Sequence, residues 1–144
     1  NQTFTYDADA GTVTATYGNA TAKPHADVLF SAQDETDGLG TEGELNARGL
    51  KYNFIKTVKA QAEGLLNQTD WYITRKAEKN TAIPSAITTW RDGIRTKQAA
   101  METLITNASN TAAIETLYTY VNTADEGDPV VMERPLGEFP VLGS

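Results

Sequence analysis

Cysteine is absent from the 144 residues of the chain, which excludes disulfides, thiolate metal sites and a cysteine nucleophile. Histidine occurs once, at position 25, so several imidazoles cannot combine into a metal site. No apolar run approaches the roughly 18 residues that a membrane-spanning helix requires. The sequence therefore predicts neither thiol chemistry, nor a histidine metal centre, nor a membrane span.

Positive charge is also scarce. Twelve Lys and Arg residues stand against 19 Asp and Glu residues, which gives a net charge of -7. Phosphate groups are bound by clustered Lys and Arg, so we expect neither a nucleic acid nor an anionic membrane as a partner. With 40% hydrophobic and 22% charged residues, the composition is that of an ordinary folded domain.

Three features of the sequence are candidates for a catalytic or metal-binding site. His25 follows a proline in a loop-forming region, and no Gly-x-Ser-x-Gly motif accompanies it. The run Asp7–Gly11 begins like a calcium loop, but the position that needs Glu is Gly18. The acidic run Asp34–Glu44 has ligands for a divalent cation, although a solvated acidic loop before a helix accounts for it. We expect no catalytic residue, no metal and no cofactor; an enzyme or metal protein using the acidic run is the competing class.

The N-terminal unit, residues 1–43, combines strand and loop patterns. β-branched and aromatic residues dominate both ends of Thr3–Tyr17, and turn-forming residues separate them, which predicts a β-hairpin. Because an isolated hairpin is only marginally stable, it should pack on the helices or add to a partner's sheet. Gly18–Gly43 predicts a long loop with one short strand around Val28–Phe30.

Apolar residues at helical spacing predict a helical domain over residues 44–124. The predicted helices are Glu42–Leu66, Asp70–Glu78, Pro84 to about Asn107, and Thr111–Asn122. Thr69 is expected to cap the second helix as an acceptor, and Pro84 to occupy the first position of the third. The apolar face predicted for the third helix consists of Ile87, Trp90, Ile94, Met101, Leu104 and Ile105.

The remaining residues, 125–144, hold Pro135 and Pro140 among apolar side chains, which predicts an extended tail that docks. Met132, Leu136, Phe139 and Val141 supply its apolar character. The predicted fold class is mainly α: a bundle of three to four helices with a small N-terminal β-hairpin and an extended C-terminal tail.

Tryptophan and arginine recur together at helical spacing. Trp71 and Arg75 are four residues apart, which allows a cation–π contact while Arg75 pairs with Glu78. Trp90 and Arg91 lie on the next helix, where Arg91 is expected to form a basic ridge with Arg95. An ordinary helix–turn–helix core with a capped corner explains these residues, whereas the functional interpretation makes Trp71, Tyr72, Arg75, Trp90 and Arg91 an interface patch.

The segment Leu65–Arg95 resembles a signature of tailed-phage tail assembly chaperones and tail-fibre assembly proteins. It reads Leu65-Leu66-x-x-Thr69-Asp70-Trp71, then Ile83-Pro84, then Trp90-Arg91-x-x-Ile94-Arg95. A Trp-Pro or Phe-Pro motif closely follows this segment in many such proteins. Phe139-Pro140 corresponds to it here, with an additional predicted helix in between.

The resemblance implies a protein without catalytic activity that binds a tail or tail-fibre subunit and assists its folding or assembly. A structural virion protein, such as a tail, fibre or capsid-decorating subunit, is the alternative, and a homo-oligomer stays open in either case. The implied location is the virion or the host cytoplasm. Phe139 joins the five residues of the interface patch as a candidate partner-binding residue.

Overall fold

The computed structural model describes residues 2–18 and 22–143, with the side chains of Gln2 and Tyr17 left out. In these ranges the chain is mainly α-helical and carries small antiparallel β-hairpins. The helices are α1 Ala32–Thr36, α2 Leu50–Asn67, α3 Asp70–Lys79, α4 Ser85–Asn107 and α5 Thr111–Tyr118. The strands are β1 Gln2–Asp7, β2 Thr12–Tyr17, β3 Val28–Leu29, β4 Leu45–Ala47, β5 Val121–Asn122 and β6 Met132–Glu133. They form three two-stranded sheets, in which β1 pairs with β2, β3 with β4 and β5 with β6.

The core lies between α2 and α4. Val58 of α2 packs with Met101 and Ile105, which lie late in α4. Ala62, one turn further along α2, packs with Trp90 and Ile94, which lie early in α4. The two helices therefore run in opposite directions.

The apolar stripes predicted from helical spacing are largely confirmed. Val58 and Ala62 are buried on α2, and Ile87, Trp90, Ile94, Met101 and Ile105 are buried on α4. Leu104 is the exception, because it is 39% exposed next to the fully buried Ile105. The helix surface turns by about 100° per residue, so only one of two adjacent leucine-sized residues can face α2.

The predicted N-terminal hairpin is confirmed in β1 and β2, which pair in continuous register from Gln2 opposite Tyr17 to Asp7 opposite Thr12. An Asp7 carboxylate oxygen accepts the N–H groups of Asp9 and Ala10, both at 3.0 Å, and Gly11 supplies the positive φ of 65°. Of the two alternatives expected for the hairpin, packing on the helices is not found in the described residues, since every described side chain of its two strands is exposed; addition to a partner's sheet stays a prediction.

Helix α2 begins eight residues later than predicted. Gly43 has a φ of 82°, and Leu45–Ala47 pairs with β3 as a strand. This stretch therefore cannot be part of the helix. Gly49 precedes the first turn, and its N–H donates to an Asp27 carboxylate oxygen at 2.8 Å. The long loop also contains a helix that was not predicted, α1, which begins with a capping box between Ser31 and Asp34.

The other helix ends show why local signals mislead. Thr69 does not cap α3 as an acceptor of its N–H groups; its hydroxyl instead donates to the Leu66 carbonyl at 3.1 Å. Pro84 flanks α4, which starts at Ser85. The predicted extension of α5 to Asn122 is wrong, because Val121–Asn122 leaves the helix and pairs with Met132–Glu133.

The C-terminal tail docks on the helices, as predicted. Leu136 is 1% exposed within the Val58 cluster, and its N–H donates to the Leu117 carbonyl at 3.0 Å. Phe139 packs against both core clusters. Arg134 pairs with Glu138 at 2.7 Å and lies over the rings of Tyr118 and Tyr120. Met132 and Val141 stay on the surface.

Asp27 gives the fold a measurable dependence on acid. The hydrogen bond from the Gly49 N–H, followed by that from Arg48, lowers the pKa of Asp27 below its ordinary 3.8. A carboxyl group whose pKa is lowered on folding stabilises the fold above its unfolded pKa, and this contribution disappears as the pH falls through the folded pKa.

Asp27→Asn should therefore lower the melting temperature at neutral pH, and the difference from the unsubstituted chain should shrink as the pH falls below about 3.8 and vanish once the pH has passed the lower pKa of the folded state. Thermal unfolding followed by circular dichroism between neutral and acid pH measures this. Glu63→Gln is the matched control, because it neutralises an exposed carboxylate that has no hydrogen bond within the described residues. A difference that stays constant with pH would contradict the assigned role.

Candidate functional site

The corner between α2 and α3 is held by a buried arginine from α4. Arg91 is 6% exposed, and its Nη1 donates to the Leu66 carbonyl at 2.8 Å and to the Thr69 hydroxyl at 2.7 Å. The same nitrogen lies 2.8 Å from a carboxylate oxygen of Asp70. Leu66 belongs to the last turn of α2, whose carbonyls lack helical partners. Arg91 thus ties the end of α2 and the start of α3 to α4.

Trp90 joins the same helix to the C-terminal tail. It is 7% exposed and packs with Ala62 and Ile94, while its indole N–H donates to the Pro140 carbonyl at 2.8 Å. Phe139, the residue before Pro140, is half-buried on the same cluster. The structure therefore places Trp90, Arg91 and Phe139 in or against the folded core, where their contacts are with other residues of the same chain.

The other three candidate residues form a stack on the surface of α3. The rings of Trp71 and Tyr72 are stacked with centroids 3.7 Å apart. The guanidinium carbon of Arg75 lies 4.8 Å from the Trp71 centroid and 5.1 Å from that of Tyr72, so the predicted cation–π contact is confirmed. Trp71 is nevertheless 51% exposed, which makes this stack accessible to a partner.

Two expectations about the charges around this stack are wrong. Arg75 does not pair with Glu78; in the described part of the chain it forms no ion pair, and its Nε is buried without a hydrogen-bond partner. Arg91 does not share a basic ridge with Arg95, because Arg91 is inside the corner while Arg95 pairs with Asp92 at 3.0 Å on the surface. The predicted patch is thus divided between the core and α3.

Two further residues extend the surface stack. Lys76 lies four residues after Tyr72, and Lys79 lies four residues after Arg75, so both project from the same side of α3 as the stack. Both lysines are exposed. We call this set the α3 face: Trp71, Tyr72, Arg75, Lys76 and Lys79. The spacing of the two lysines is visible in the sequence, but neither lysine belongs to a Trp–Arg combination.

Comparison with protein-family models, curated protein sequences and solved structures found no match to this chain. The site is therefore interpreted from its own geometry. Among the helices that the structure describes, none is both long and apolar enough to cross a membrane.

The acidic run is organised around a helix cap. The backbone N–H and the hydroxyl of Ser31 both donate to Asp34, at 2.8 and 2.7 Å, and these bonds lower the pKa of Asp34. Within residues 2–18 and 22–143, no three His, Asp or Glu residues are grouped so that they could hold a metal ion. Capping is therefore the role that the geometry gives to Asp34.

A cavity of about 590 Å³ lies between the start of α4 and the end of the tail. Trp90, Pro140 and Leu142 line it, and no ionisable side chain does. General acid–base chemistry requires a titratable group within hydrogen-bond reach of the reacting atoms. This cavity can accept an apolar side chain or ligand, but it offers no such group.

Proposed function

We propose that this chain is a non-enzymatic, phage tail-associated protein that binds a tail or tail-fibre subunit and assists its assembly. The resemblance of Leu65–Arg95 to tail assembly proteins supports the proposal. So does the way that segment is built, because Asp70 and Arg91, which are separated in the sequence, meet in one ion pair at 2.8 Å. The stretch acts as a single structural unit that supports the α3 face.

The observation that carries the proposal is the exposed N-terminal hairpin. Tyr6 lies opposite Val13, and Phe4 lies opposite Ala15, so one face of the hairpin is apolar. Phe4, Tyr6 and Val13 are each about two-thirds exposed. The opposite face carries threonines: Thr3, Thr5, Thr12, Thr14 and Thr16.

A two-stranded hairpin that buries nothing is marginal in water, and it gains stability when a further strand or a packed surface covers it. Its edges are also open to pairing, since the described strands contain no Lys, no Pro and no bulge, and Asp7 is their only charged residue. Addition to a sheet of another protein supplies backbone partners for an open edge, and side chains of that protein packed on Phe4, Tyr6 and Val13 cover the apolar face.

A structural virion protein is the second candidate. The continuous six-pair register of the hairpin favours it, because an undistorted sheet can be extended permanently by a neighbouring subunit. The two candidates differ in stoichiometry. A fixed copy number in purified virions indicates a structural subunit, whereas absence from virions together with binding to a tail subunit indicates an assembly factor.

Photo-crosslinking tests the proposed contact. A benzophenone amino acid placed at Tyr6, in cells that produce the phage, should crosslink to a tail or tail-fibre protein identified by mass spectrometry. The same amino acid at Tyr52, an aromatic residue 41% exposed on α2, is the matched control and should give no such product. Crosslinks from Tyr6 only to proteins unrelated to the tail, or to none, would contradict the proposal.

A further inference from the structure

Helix α3 is an uncovered, positively charged element in an acidic protein. None of its ten residues is buried. Its α3 face holds three cations, Arg75, Lys76 and Lys79, and none of them forms an ion pair within the described residues. The carboxylate of Asp70 is already compensated by Arg91. Glu78, the other carboxylate of α3, is exposed and also forms no ion pair in the described chain, so this face carries three unpaired cations against one unpaired carboxylate, next to an exposed indole.

The complementary surface lies elsewhere on the same chain. Between Asp27 and Arg48 the sequence contains five carboxylates and no cation. We call these residues the acidic segment: Asp34, Glu35, Asp37, Glu42 and Glu44. None of them forms an ion pair in the described chain. Leu39, in their midst, is 64% exposed, so the acidic segment also presents an apolar side chain.

We propose that the α3 face of one copy docks on the acidic segment of a second copy, in a head-to-tail contact. The three unpaired cations meet uncompensated carboxylates, and the exposed part of Trp71 has Leu39 as an apolar counterpart. Within the described residues, no ion pair joins the two surfaces of one chain, so both are available between chains. Because the two surfaces differ, the contact is heterologous and leaves one free copy of each surface on a pair.

Protein is favoured over nucleic acid as the occupant of the α3 face. A nucleic acid extends its charge along the whole contact, and a chain of net charge -7 repels such a polyanion. The facing sides of the Trp71 and Tyr72 rings are also occupied by their mutual stacking, which leaves less aromatic surface for bases. A compact acidic patch confines its negative charge to the contact and needs no free aromatic face, so it reduces the first difficulty and avoids the second. The inference is independent of the proposed tail function, because it does not involve the hairpin.

Ionic strength separates this contact from general association. Repulsion between copies of net charge -7 is strongest at low salt, so the net charge by itself should keep the copies monomeric there. Docking of complementary patches has the opposite dependence. The weight-average sedimentation coefficient should rise with protein concentration at about 0.01 M ionic strength, where the Debye length is about 30 Å, and stay monomeric at about 1 M, where it is about 3 Å.

A charge exchange identifies the two surfaces. Lys76→Glu with Lys79→Glu should abolish the low-salt association, and so should Glu42→Lys with Glu44→Lys. Mixed in equal amounts, the two variants should associate again, because each reversed surface finds its complement on the other variant. Lys56→Glu with Arg95→Glu is the matched control: it makes the same change in net charge at exposed sites outside α3 and should associate at low salt.

Several outcomes would overturn the proposal. It fails if the unsubstituted chain is monomeric at low salt, if the control loses association as fully as the α3 variant, or if the mixture does not associate. Binding of a single-stranded oligothymidylate to the α3 face, in place of self-association, would assign the face to a nucleic acid. Tyr6→Ser should leave the association unchanged, so the outcome is separable from that of the hairpin crosslinking.

Discussion

Replacing Trp90 with alanine should lower the free energy of unfolding by about 3 to 5 kcal/mol. The substitution removes a large side chain that is 7% exposed from the cluster around Ile94, and it leaves the Pro140 carbonyl without its indole donor. Both losses occur where the tail meets α4. Urea unfolding followed by circular dichroism at a helical wavelength measures the change.

Trp71→Ala is the matched control for this prediction, because it removes the same side chain from an exposed position on α3. Here the loss should be about 1 kcal/mol or less, reflecting the cation–π contact with Arg75. The emission spectra add a second readout, since Trp90 should emit at shorter wavelength than the exposed Trp71. Equal destabilisation by the two substitutions would contradict the division of the patch between core and surface.

Arg91→Ala should destabilise the fold by about 2 to 4 kcal/mol. The Leu66 carbonyl and the Thr69 hydroxyl both lose a charged donor inside the corner, and a hydrogen bond to a charged group contributes about 1.5 to 3 kcal/mol. The ion pair with Asp70 adds little, because the Asp70 side chain is 51% exposed and solvent screens it. Chemical denaturation of the two proteins under identical conditions gives the difference.

Arg95→Ala provides the comparison one turn later on the same helix. Arg95 is exposed and pairs with Asp92, so its removal should cost about 0.5 kcal/mol or less. If Arg91 and Arg95 proved equally dispensable, the corner would not depend on the buried guanidinium. If Arg91→Lys restored most of the lost stability, a single charge rather than the shape of the guanidinium group would hold the corner.

The elements with strong local signals were predictable from the sequence. Asp70 begins α3 and Asn107 ends α4, as predicted, because apolar spacing and helix-poor residues agree at these points. The start of α2 was missed because β3 recruits Leu45–Ala47, a pairing between residues distant in sequence. The end of α5 was missed for the same reason, since Val121 leaves the helix to pair with Glu133. Tertiary pairing overrides local helical preference in both places.

The candidate patch was only half predictable, because residue type and spacing do not distinguish its two parts. Trp71 and Trp90 are each part of a Trp–Arg combination at helical positions, yet one is exposed and the other is buried. The difference arises at the corner between α2 and α3, where Arg91 donates hydrogen bonds to Leu66 and Thr69. The side of α4 that carries Arg91 therefore faces the interior. A single sequence contains the residues of that corner but not the angle at which the helices meet.

The position of Leu136 and Phe139 has a consequence for the order of biosynthesis. Both residues complete a core whose helices, α2 and α4, have been synthesised in full once the ribosome has added Asn107. At about 5 to 20 residues per second, the ribosome needs roughly 1.5 to 6 s to advance from Asn107 to Leu136. During that interval, the nascent helices expose the apolar surface that the tail later covers. The final packing of this protein therefore occurs late in translation or after it, and a chain that stops before Leu136 is open to proteases and aggregation.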